Sequence, residues 1–363
     1  MKLLCYTIQD SDGVKSCMTA LALSMFPVIY FFTFLYYTDP GSIFFVLIMY
    51  LFCISDSHLT AALFGGIAIV FRQTNIIWVV FCAGLVLRKQ LQLWLKEVYE
   101  KKDVKLSELN DWDMLKLAVK GLVENAMKRN KLVIKLVKNV AVNVIGYVLV
   151  GVCFAAFVVL NKGIVVGDRT QHEACLHFPQ LFYFLTITNF FAFFQLTSPY
   201  KILDFVKFCW KHPILVVTFS CIALLMVRYY TYEHMYLLGD NRHYAFYVWH
   251  KLYKRHDYVK YILIPGYLYC LWAFLTELKH RDIFWKILYF ICLFTATVPQ
   301  KLLEYRYFVL PYLIYRMNTR YSSAVSLLHE LLLYLVINAV TIYLFTQKPF
   351  KWAHDDGVQR FMW

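Results

Sequence analysis

The chain has 363 residues, of which 60% are apolar and only 17% are charged, and its formal net charge is +14. A soluble domain is about 45–50% apolar and about 25% charged, so this composition excludes an ordinary water-soluble globule. It also argues against nucleic acid as a partner, because Lys and Arg lie between apolar runs rather than in one basic module. Basic loops beside membrane helices account for the charge.

Apolar runs recur along the whole chain, and an α-helix needs about 20 such residues to cross a bilayer. The predicted spans cover residues 16–37, 42–55, 58–71, 75–95, 140–160, 181–197, 212–230, 259–276, 283–298, 307–316 and 324–346. Pro and Gly interrupt the second, third and tenth, which are alternatively half-spans or parts of kinked hairpins. We predict an all-α polytopic membrane protein of about ten or eleven transmembrane helices, with no β-sheet.

Alternation of these spans places 23 of the 37 Lys and Arg residues on one side of the membrane, which we assign to the cytosol. The predicted organisation is a cytosolic segment (1–15), a first group of membrane helices (16–95), a basic cytosolic loop (96–139), a second group of membrane helices (140–346) with lumenal loops 161–180, 231–258 and 299–306, and a lumenal tail (347–363).

The basic loop has apolar residues at helical spacing, namely Leu115, Val119, Leu122, Val123 and Ala126. It is either an amphipathic helix on the cytosolic headgroups or a solvated connector.

Four polar clusters fall on the predicted lumenal side, and their convergence is the strongest sign of a site. The first contains Arg72, Gln73 and Asn75 and lies between two apolar runs. A cation there is costly and marks a ligand or a pathway, and the planar guanidinium suits a phosphate. The alternative is an Arg that snorkels to the interface or bonds carbonyls at a helix end.

The second cluster combines carboxylates and imidazoles within ten residues: Asp168, Arg169, His172, Glu173 and His177. Asp168 or Glu173 has the chemistry of a general acid or base. A metal held by two of the histidines and Cys175 is less favoured, because the spacing matches no established zinc pattern. A loop held by Asp168, Arg169 and backbone contacts is the structural alternative. We predict no cofactor and no metal site, although the sequence leaves a divalent metal open.

The third cluster is Asp240-Asn241-Arg242-His243, with tyrosines on both sides. Aromatic rings near a bilayer surface usually form an anchoring belt. Interleaved with these polar groups, they equally offer stacking faces and hydrogen-bonding edges for a sugar.

The fourth cluster places Lys301, Glu304 and Arg306 before an apolar segment that Pro311 breaks. Two cations against one acid favour a lipid phosphate as ligand, with Glu304 orienting one of the cations. The alternative is an interfacial ion pair.

The residues of these clusters lie in longer motifs. These are Phe71-Arg72-Gln73-Thr74-Asn75-Ile76-Ile77-Trp78, Gly163 to Arg169 with His172 to Gln180, Asp240-Asn241-Arg242-His243-Tyr244, and Val298 to Glu304 with Arg306-Tyr307-Phe308. In this order they resemble the dolichyl-phosphate-glucose α-1,2-glucosyltransferase family, from about Ser16 to Trp363.

The resemblance implies a GT-C type enzyme of the endoplasmic reticulum membrane with a lumenal active face. Its donor is dolichyl-phosphate-glucose, and its acceptor is the dolichyl-pyrophosphate oligosaccharide Glc2Man9GlcNAc2, which receives its last glucose. Membrane lipid is the remaining expected partner. We expect the donor phosphate at Arg306 and Lys301, with Arg72 as second candidate. The other polar residues of the four clusters are expected to bind substrate.

Family members begin further upstream, with a membrane helix and an acidic lumenal loop in which GT-C enzymes generally place the catalytic carboxylate. No counterpart precedes Ser16, so we expect a shortened form whose catalytic group is unassigned, with Asp168 and Glu173 as weak candidates. The alternatives are a catalytically incomplete membrane partner or regulator and, less favoured without an internal repeat, a transporter or channel.

Overall fold

The computed structural model of the chain describes residues 1–9, 13–99, 110–127, 131–166, 174–320, 323–352 and 355–363. The described residues are mostly helical, which confirms the prediction of an all-α polytopic membrane protein. The chain divides into two compact units. The first comprises Met1–Pro40, Asp168–Lys279 and Phe294–Trp363, and the second comprises Gly41–Gly167 and His280–Leu293.

The first unit contains the longest run of short and broken helices. Its α-helices are Lys2–Gln9, Gly13–Ser24, Pro27–Thr33, Pro179–Phe191, Phe193–Leu196, Pro199–Lys211, Pro213–Tyr229, Met235–Gly239, Tyr244–Val248, Val259–Ile262, Ile264–Glu277, Val309–Asn318 and Ala324–Gln347. A π-helical turn covers Trp249–Tyr253 and a 3₁₀ turn covers Tyr305–Phe308.

The second unit is built from longer helices. They are His58–Phe71, Ile76–Tyr99, Asp111–Met127 and Lys131–Asn161, with a 3₁₀ turn at Gln73–Asn75. Two further helices, Asp39–Ile54 and Ile283–Thr297, each contain one of the four points at which the chain passes from one unit to the other.

Fewer helices than the predicted ten or eleven are long enough to span a membrane. Among the described residues, four helices are long and apolar enough to cross a bilayer, or up to six if each of two bent pairs counts as one span. Every predicted span falls on one helix or on two successive helices, but three of the apolar helices stop after 10–17 residues. Asp39–Ile54 and His58–Phe71 are short because polar residues, Ser55 and Arg72, follow them directly, and Pro27 divides the first predicted span into two helices.

A small β-hairpin corrects the prediction that the chain has no β-sheet. Strands Phe350–Trp352 and Asp355–Gln359 pair in antiparallel fashion, with Phe350 opposite Gln359. The hairpin follows the last membrane helix, where the apolar pattern has ended, so the helical periodicity did not reveal it.

The bend of the first span in the first unit has an identifiable cause. Helices Gly13–Ser24 and Pro27–Thr33 meet at 63°, and Pro27 cannot continue the hydrogen-bond ladder of the preceding helix. The carbonyl of Met25 instead accepts a hydrogen bond of 2.8 Å from the amide of the buried Asn338. The break is therefore stabilised by a neighbouring helix.

Small residues set the helix packing of the second unit. A Cβ on Gly146 would lie 2.9 Å from the Cβ of Ala62, so Gly allows helices Lys131–Asn161 and His58–Phe71 to approach closely.

The basic loop contains the helix Asp111–Met127, as one of its two predicted alternatives required. Ala118 is buried against Trp94 and Leu136, whereas Val119 and Val123 are exposed. Leu122 of the predicted apolar stripe packs against this cluster, and contact of the exposed valines with the headgroups stays a prediction.

Candidate functional site

The second and fourth polar clusters meet in the first unit, and the buried His177 joins them. Its backbone N–H donates to the carbonyl of Val298 (3.0 Å). Its ring Nδ1 lies 3.3 Å from the Lys301 carbonyl oxygen, and its Nε2 lies 3.5 Å from the Tyr232 amide nitrogen. A carbonyl only accepts and an amide N–H only donates, so Nδ1 carries the proton and Nε2 accepts.

Burial of His177 lowers the pKa of the imidazole to about 4, against the weaker opposite effect of the Lys301 and Gln300 carbonyls. The ring is therefore neutral near pH 7, and both of its nitrogens are engaged within the protein. Gln180 strengthens the same junction, because its amide donates to the carbonyls of Gln300 and Leu302, each at 3.1 Å. These bonds hold the turn that carries the fourth cluster.

Arg306 lies in the 3₁₀ turn that precedes helix Val309–Asn318 and is held between two carboxylates. Its Nη2 donates to Glu304 Oε2 (2.7 Å), and its Nη1 lies 3.5 Å from Asp39 Oδ2. The guanidinium carbon lies 5.3 Å from the ring centre of Phe32 and 5.2 Å from that of Tyr37. These contacts fix the orientation of the guanidinium group.

The charge balance at Arg306 differs from the prediction. The sequence indicated one nearby acid, whereas the structure adds Asp39, so Arg306 and its neighbours carry no surplus positive charge. The buried Nε of Arg306 nevertheless has no acceptor among the described residues. A buried donor left unbonded costs about 1–3 kcal/mol, so an oxygen ligand at this atom would be stabilised.

The third cluster is organised by an ion pair within the loop. Arg242 Nε and Nη2 donate to the two carboxylate oxygens of Asp240 at 2.9 and 2.7 Å, which is a bidentate arrangement. Partial burial raises the pKa of Asp240, but the hydrogen bonds from Arg242 and the nearby His243 outweigh it and leave the pKa below its usual value. Asp240 therefore stays ionised and acts as an acceptor.

The tail of the chain contacts this loop directly. Trp352 Nε1 donates to Asn241 Oδ1 (2.6 Å), and His243 Nδ1 donates to the main-chain oxygen of Trp363 (2.8 Å). The guanidinium of Arg242 stacks on the Trp352 ring at 4.9 Å.

A cavity of about 260 Å³ lies between the third and fourth clusters. Its lining is Tyr236, Leu237, Asp240, Arg242, His243, Ala245, Phe246, Leu302, Leu303, Glu304, Tyr305 and Trp363. It combines aromatic and aliphatic walls with two carboxylates, a guanidinium and an imidazole. Such a mixture is typical of small-molecule sites.

Comparison with known proteins identifies the family of the chain. The model of the DIE2/ALG10 family matches residues 1–317. The Dol-P-Glc:Glc(2)Man(9)GlcNAc(2)-PP-Dol alpha-1,2-glucosyltransferase of Homo sapiens is 44% identical over 354 residues, which are 97% of this chain and 74% of that protein. This chain belongs to the DIE2/ALG10 family. Proteins with the same name from Mus musculus and Arabidopsis thaliana are 45% identical over 355 residues and 31% identical over 386 residues, covering 97% and 96% of this chain and 74% and 76% of those proteins. No solved structure matches the chain.

The first cluster of this DIE2/ALG10 family chain lies in the second unit, at a break between two helices. Arg72 ends helix His58–Phe71 with an extended backbone (φ −149°, ψ 120°), and Gln73 begins the 3₁₀ turn. The buried amide of Asn75 donates to Ser42 Oγ (2.8 Å) and to the Ala68 carbonyl (2.7 Å). Asn75 therefore stabilises the break beside Arg72, which is partly buried.

Four predicted site residues, Asp168, Arg169, His172 and Glu173, lie outside the described residues. Within the described part of the chain, no three His, Cys, Asp or Glu side chains are grouped so that they could hold a metal ion.

Sequence reasoning missed two residues of the site. Asp39 lies just after the first predicted span, and an acidic residue at that position was the available signal. Trp363 lies in the predicted lumenal tail, where a single aromatic residue carries no recognisable motif. Each contacts a predicted site residue that is far away in sequence.

Proposed function

We propose that this chain transfers the terminal α-1,2-linked glucose from dolichyl-phosphate-glucose to Glc2Man9GlcNAc2-PP-dolichol. The observation that carries the proposal is the 44% identity, over 97% of the chain, to a protein named for this reaction. The cavity between the third and fourth clusters supports it, because its polar and aromatic lining suits a sugar.

The proposed reaction is an inverting transfer. A carboxylate removes the proton of the acceptor hydroxyl, whose oxygen then bonds to the anomeric carbon of glucose. The bond from that carbon to the phosphate oxygen breaks at the same time, and dolichyl phosphate leaves with the electron pair. Cations stabilise the charge on the leaving phosphate. Asp168 and Glu173 are the candidates for the carboxylate.

We place the donor phosphate at Arg306 and Lys301, with Arg72 as the second candidate. The unbonded Nε of Arg306 supports this placement, since it offers a buried donor to a phosphate oxygen. Asp39 and Glu304 keep the guanidinium oriented before the donor arrives. Sugar contacts are proposed for the third cluster, which lines the adjoining cavity.

The proposed location is the endoplasmic reticulum membrane, with the active face in the lumen. The basic loop supports this orientation, because it holds 11 of the 37 Lys and Arg residues and positively charged loops stay in the cytosol.

The function is tested by expressing the chain in cells that lack the endogenous activity and analysing the oligosaccharide released from dolichol. The expected product carries three glucose residues instead of two. Persistence of the two-glucose form, with the protein at normal abundance in the membrane, would contradict the proposal. That outcome would favour a non-catalytic membrane partner.

Variants at Arg306 test the phosphate position. Arg306→Lys keeps the charge but loses the planar guanidinium, which can donate two parallel hydrogen bonds to a phosphate. We therefore expect the KM for dolichyl-phosphate-glucose to rise about tenfold. Arg306→Ala should raise it about a hundredfold, since a hydrogen bond to a charged group contributes about 1.5–3 kcal/mol. Arg228→Lys, at an exposed position, is the matched control. Unchanged donor dependence in both Arg306 variants would refute the assignment.

A further inference from the structure

We infer that the tail segment, defined as residues 350–363, positions the substrate site and that Trp363 forms the wall on which one sugar ring stacks. The inference rests on the proposed function and adds to it a sugar subsite and the element that holds it. The structure describes residues 350–352 and 355–363 of this segment.

Backbone hydrogen bonds connect the tail segment to the third cluster. The N–H of Met362 donates to the carbonyl of Arg242 (2.9 Å), and the N–H of Tyr244 donates to the carbonyl of Met362 (3.2 Å). His243 and Met362 thereby form a parallel bridge. The tail segment is therefore bound to the loop in one register, in the manner of an added strand.

Side chains extend this connection. Trp352 Nε1 donates to Asn241 Oδ1 (2.6 Å), and Arg242 Nη1 donates to Oε1 of the buried Gln359 (3.3 Å). Together with His243 and Tyr244, each residue from 241 to 244 has a hydrogen-bonding partner in the tail segment.

The consequence for Arg242 is that three groups restrict it at once. Asp240 binds two of its nitrogens, Gln359 binds a third, and the ring of Trp352 covers one face. A side chain held in this way keeps its geometry when a substrate binds, which is what a precise site requires. Without the tail segment, Arg242 would lose the hydrogen bond to Gln359 and the contact with the Trp352 ring.

Trp363 connects the tail segment to the cavity itself. Its ring centre lies 5.0 Å from that of Tyr244 and 5.8 Å from that of Tyr305, so the indole is fixed by its neighbours. Trp363 lines the cavity, and so do the carboxylates of Asp240 and Glu304.

This lining identifies the chemical class of the ligand. A sugar ring offers a face of C–H groups, which packs on an aromatic plane, and a rim of hydroxyls, which donate to carboxylates. The cavity of about 260 Å³ is smaller than the roughly 300–1,000 Å³ of sites for drug-sized ligands. It therefore takes one ring, either the glucose of the donor or the terminal glucose of the acceptor.

Steady-state kinetics distinguish whether this cavity binds the glucose of the donor or the terminal glucose of the acceptor. We expect Trp363→Ala to raise the KM about tenfold for one substrate only, with kcat within about threefold of wild type, and Trp363→Phe to restore most of the loss. The donor is varied at saturating acceptor, and the acceptor is then varied at saturating donor. Lys351→Ala, at an exposed position of the same hairpin, is the control. An unchanged KM in both arms, or equal losses that Trp363→Phe does not restore, would overturn the subsite.

Hydrogen exchange tests the positioning role without requiring turnover. Removal of residues 350–363 should accelerate exchange in the 240–247 peptide at least tenfold, because the Tyr244 amide loses its acceptor. Trp352→Phe keeps the ring but loses the bond to Asn241, so a smaller acceleration is expected. Unchanged exchange after removal of the segment would refute the positioning role.

The same peptide reports binding in the absence of catalysis. Saturating dolichyl-phosphate-glucose or saturating acceptor, added separately, should slow its exchange in wild type, and one of the two effects should disappear in Trp363→Ala. If wild type shows this protection but no transfer, the proposed function fails while the subsite stands. If neither substrate protects the peptide, the subsite fails.

Discussion

At the scale of single residues, the buried His177 connects two other segments of the chain. The imidazole bonds backbone groups of two other segments and is neutral near pH 7. Such a group links the stability of the protein to pH, because the folded and unfolded chains bind its proton at different pH values.

We therefore expect acid to destabilise the protein through His177. The unfolded chain binds the proton below about pH 6.5, whereas the folded chain resists it until about pH 4, so stability falls as the pH falls through this window. The loss should reach about 3 kcal/mol, and the contribution is fully present above pH 6.5. Thermal unfolding in detergent between pH 7.5 and pH 4 measures it.

Two substitutions control that experiment. His177→Gln cannot titrate, so its stability should depend less steeply on pH than that of wild type. His256→Gln, at an exposed position, should keep the wild-type dependence. Equal slopes for wild type and His177→Gln would show that burial of this imidazole does not link stability to pH.

At the scale of helices, one buried ion pair joins Val309–Asn318 to Ala324–Gln347. Arg316 Nη2 and Nε donate to the two carboxylate oxygens of Glu330 at 2.7 and 3.2 Å, and both residues are 1% exposed. Tyr334 Oη and Gln195 Nε2 donate to the same carboxylate at 2.8 and 2.5 Å. Charges are tolerated among apolar helices when they are paired and hydrogen-bonded in this way.

We expect Glu330→Gln to destabilise the protein by about 3–5 kcal/mol, because it leaves a buried guanidinium without its counter-charge. The double variant Arg316→Met, Glu330→Leu should recover most of that loss, since it removes both charges together. Thermal stability in detergent and abundance in the membrane are the measurements.

The exposed pair Lys135–Glu97 provides the comparison, with side chains 60% and 37% exposed. Glu97→Gln should change stability by no more than about 1 kcal/mol. If Glu330→Gln proved no more harmful than Glu97→Gln, the buried pair would contribute little to joining the two helices.

At the scale of the whole molecule, the distribution of cations predicts the orientation in the membrane. The sequence contains no Asn-X-Ser/Thr acceptor, so engineered acceptors can be read without background. An acceptor inserted after Lys162 should be glycosylated in cells, and one inserted after Asn110 should not, because the 96–139 loop holds 11 Lys and Arg residues.

An acceptor after Asp257 provides a second position in a predicted lumenal loop and should also be modified. The opposite pattern, with modification only after Asn110, would reverse the orientation and place the site clusters on the cytosolic side. Retention of the expressed protein in endoplasmic reticulum membranes is measured on the same samples.

The sequence by itself determined the class of the protein and the composition of much of its site. Apolar runs and helical spacing are local properties, so each predicted span lies on a helix. The polar clusters interrupt those runs and were visible for the same reason. Their order also carried the resemblance that the family match confirms.

Only the tertiary structure decided which of these groups contact one another. Asp39 pairs with Arg306 across most of the chain, and Trp363 pairs with His243 across 120 residues, and no spacing rule connects residues so far apart. The carbonyl of Met25 at the bend before Pro27 likewise finds its donor in a distant residue, Asn338. Buried charges and the unpaired backbone groups at helix breaks need a donor or acceptor nearby. That partner is often distant in sequence, so only the packing of the fold determines which residue it is.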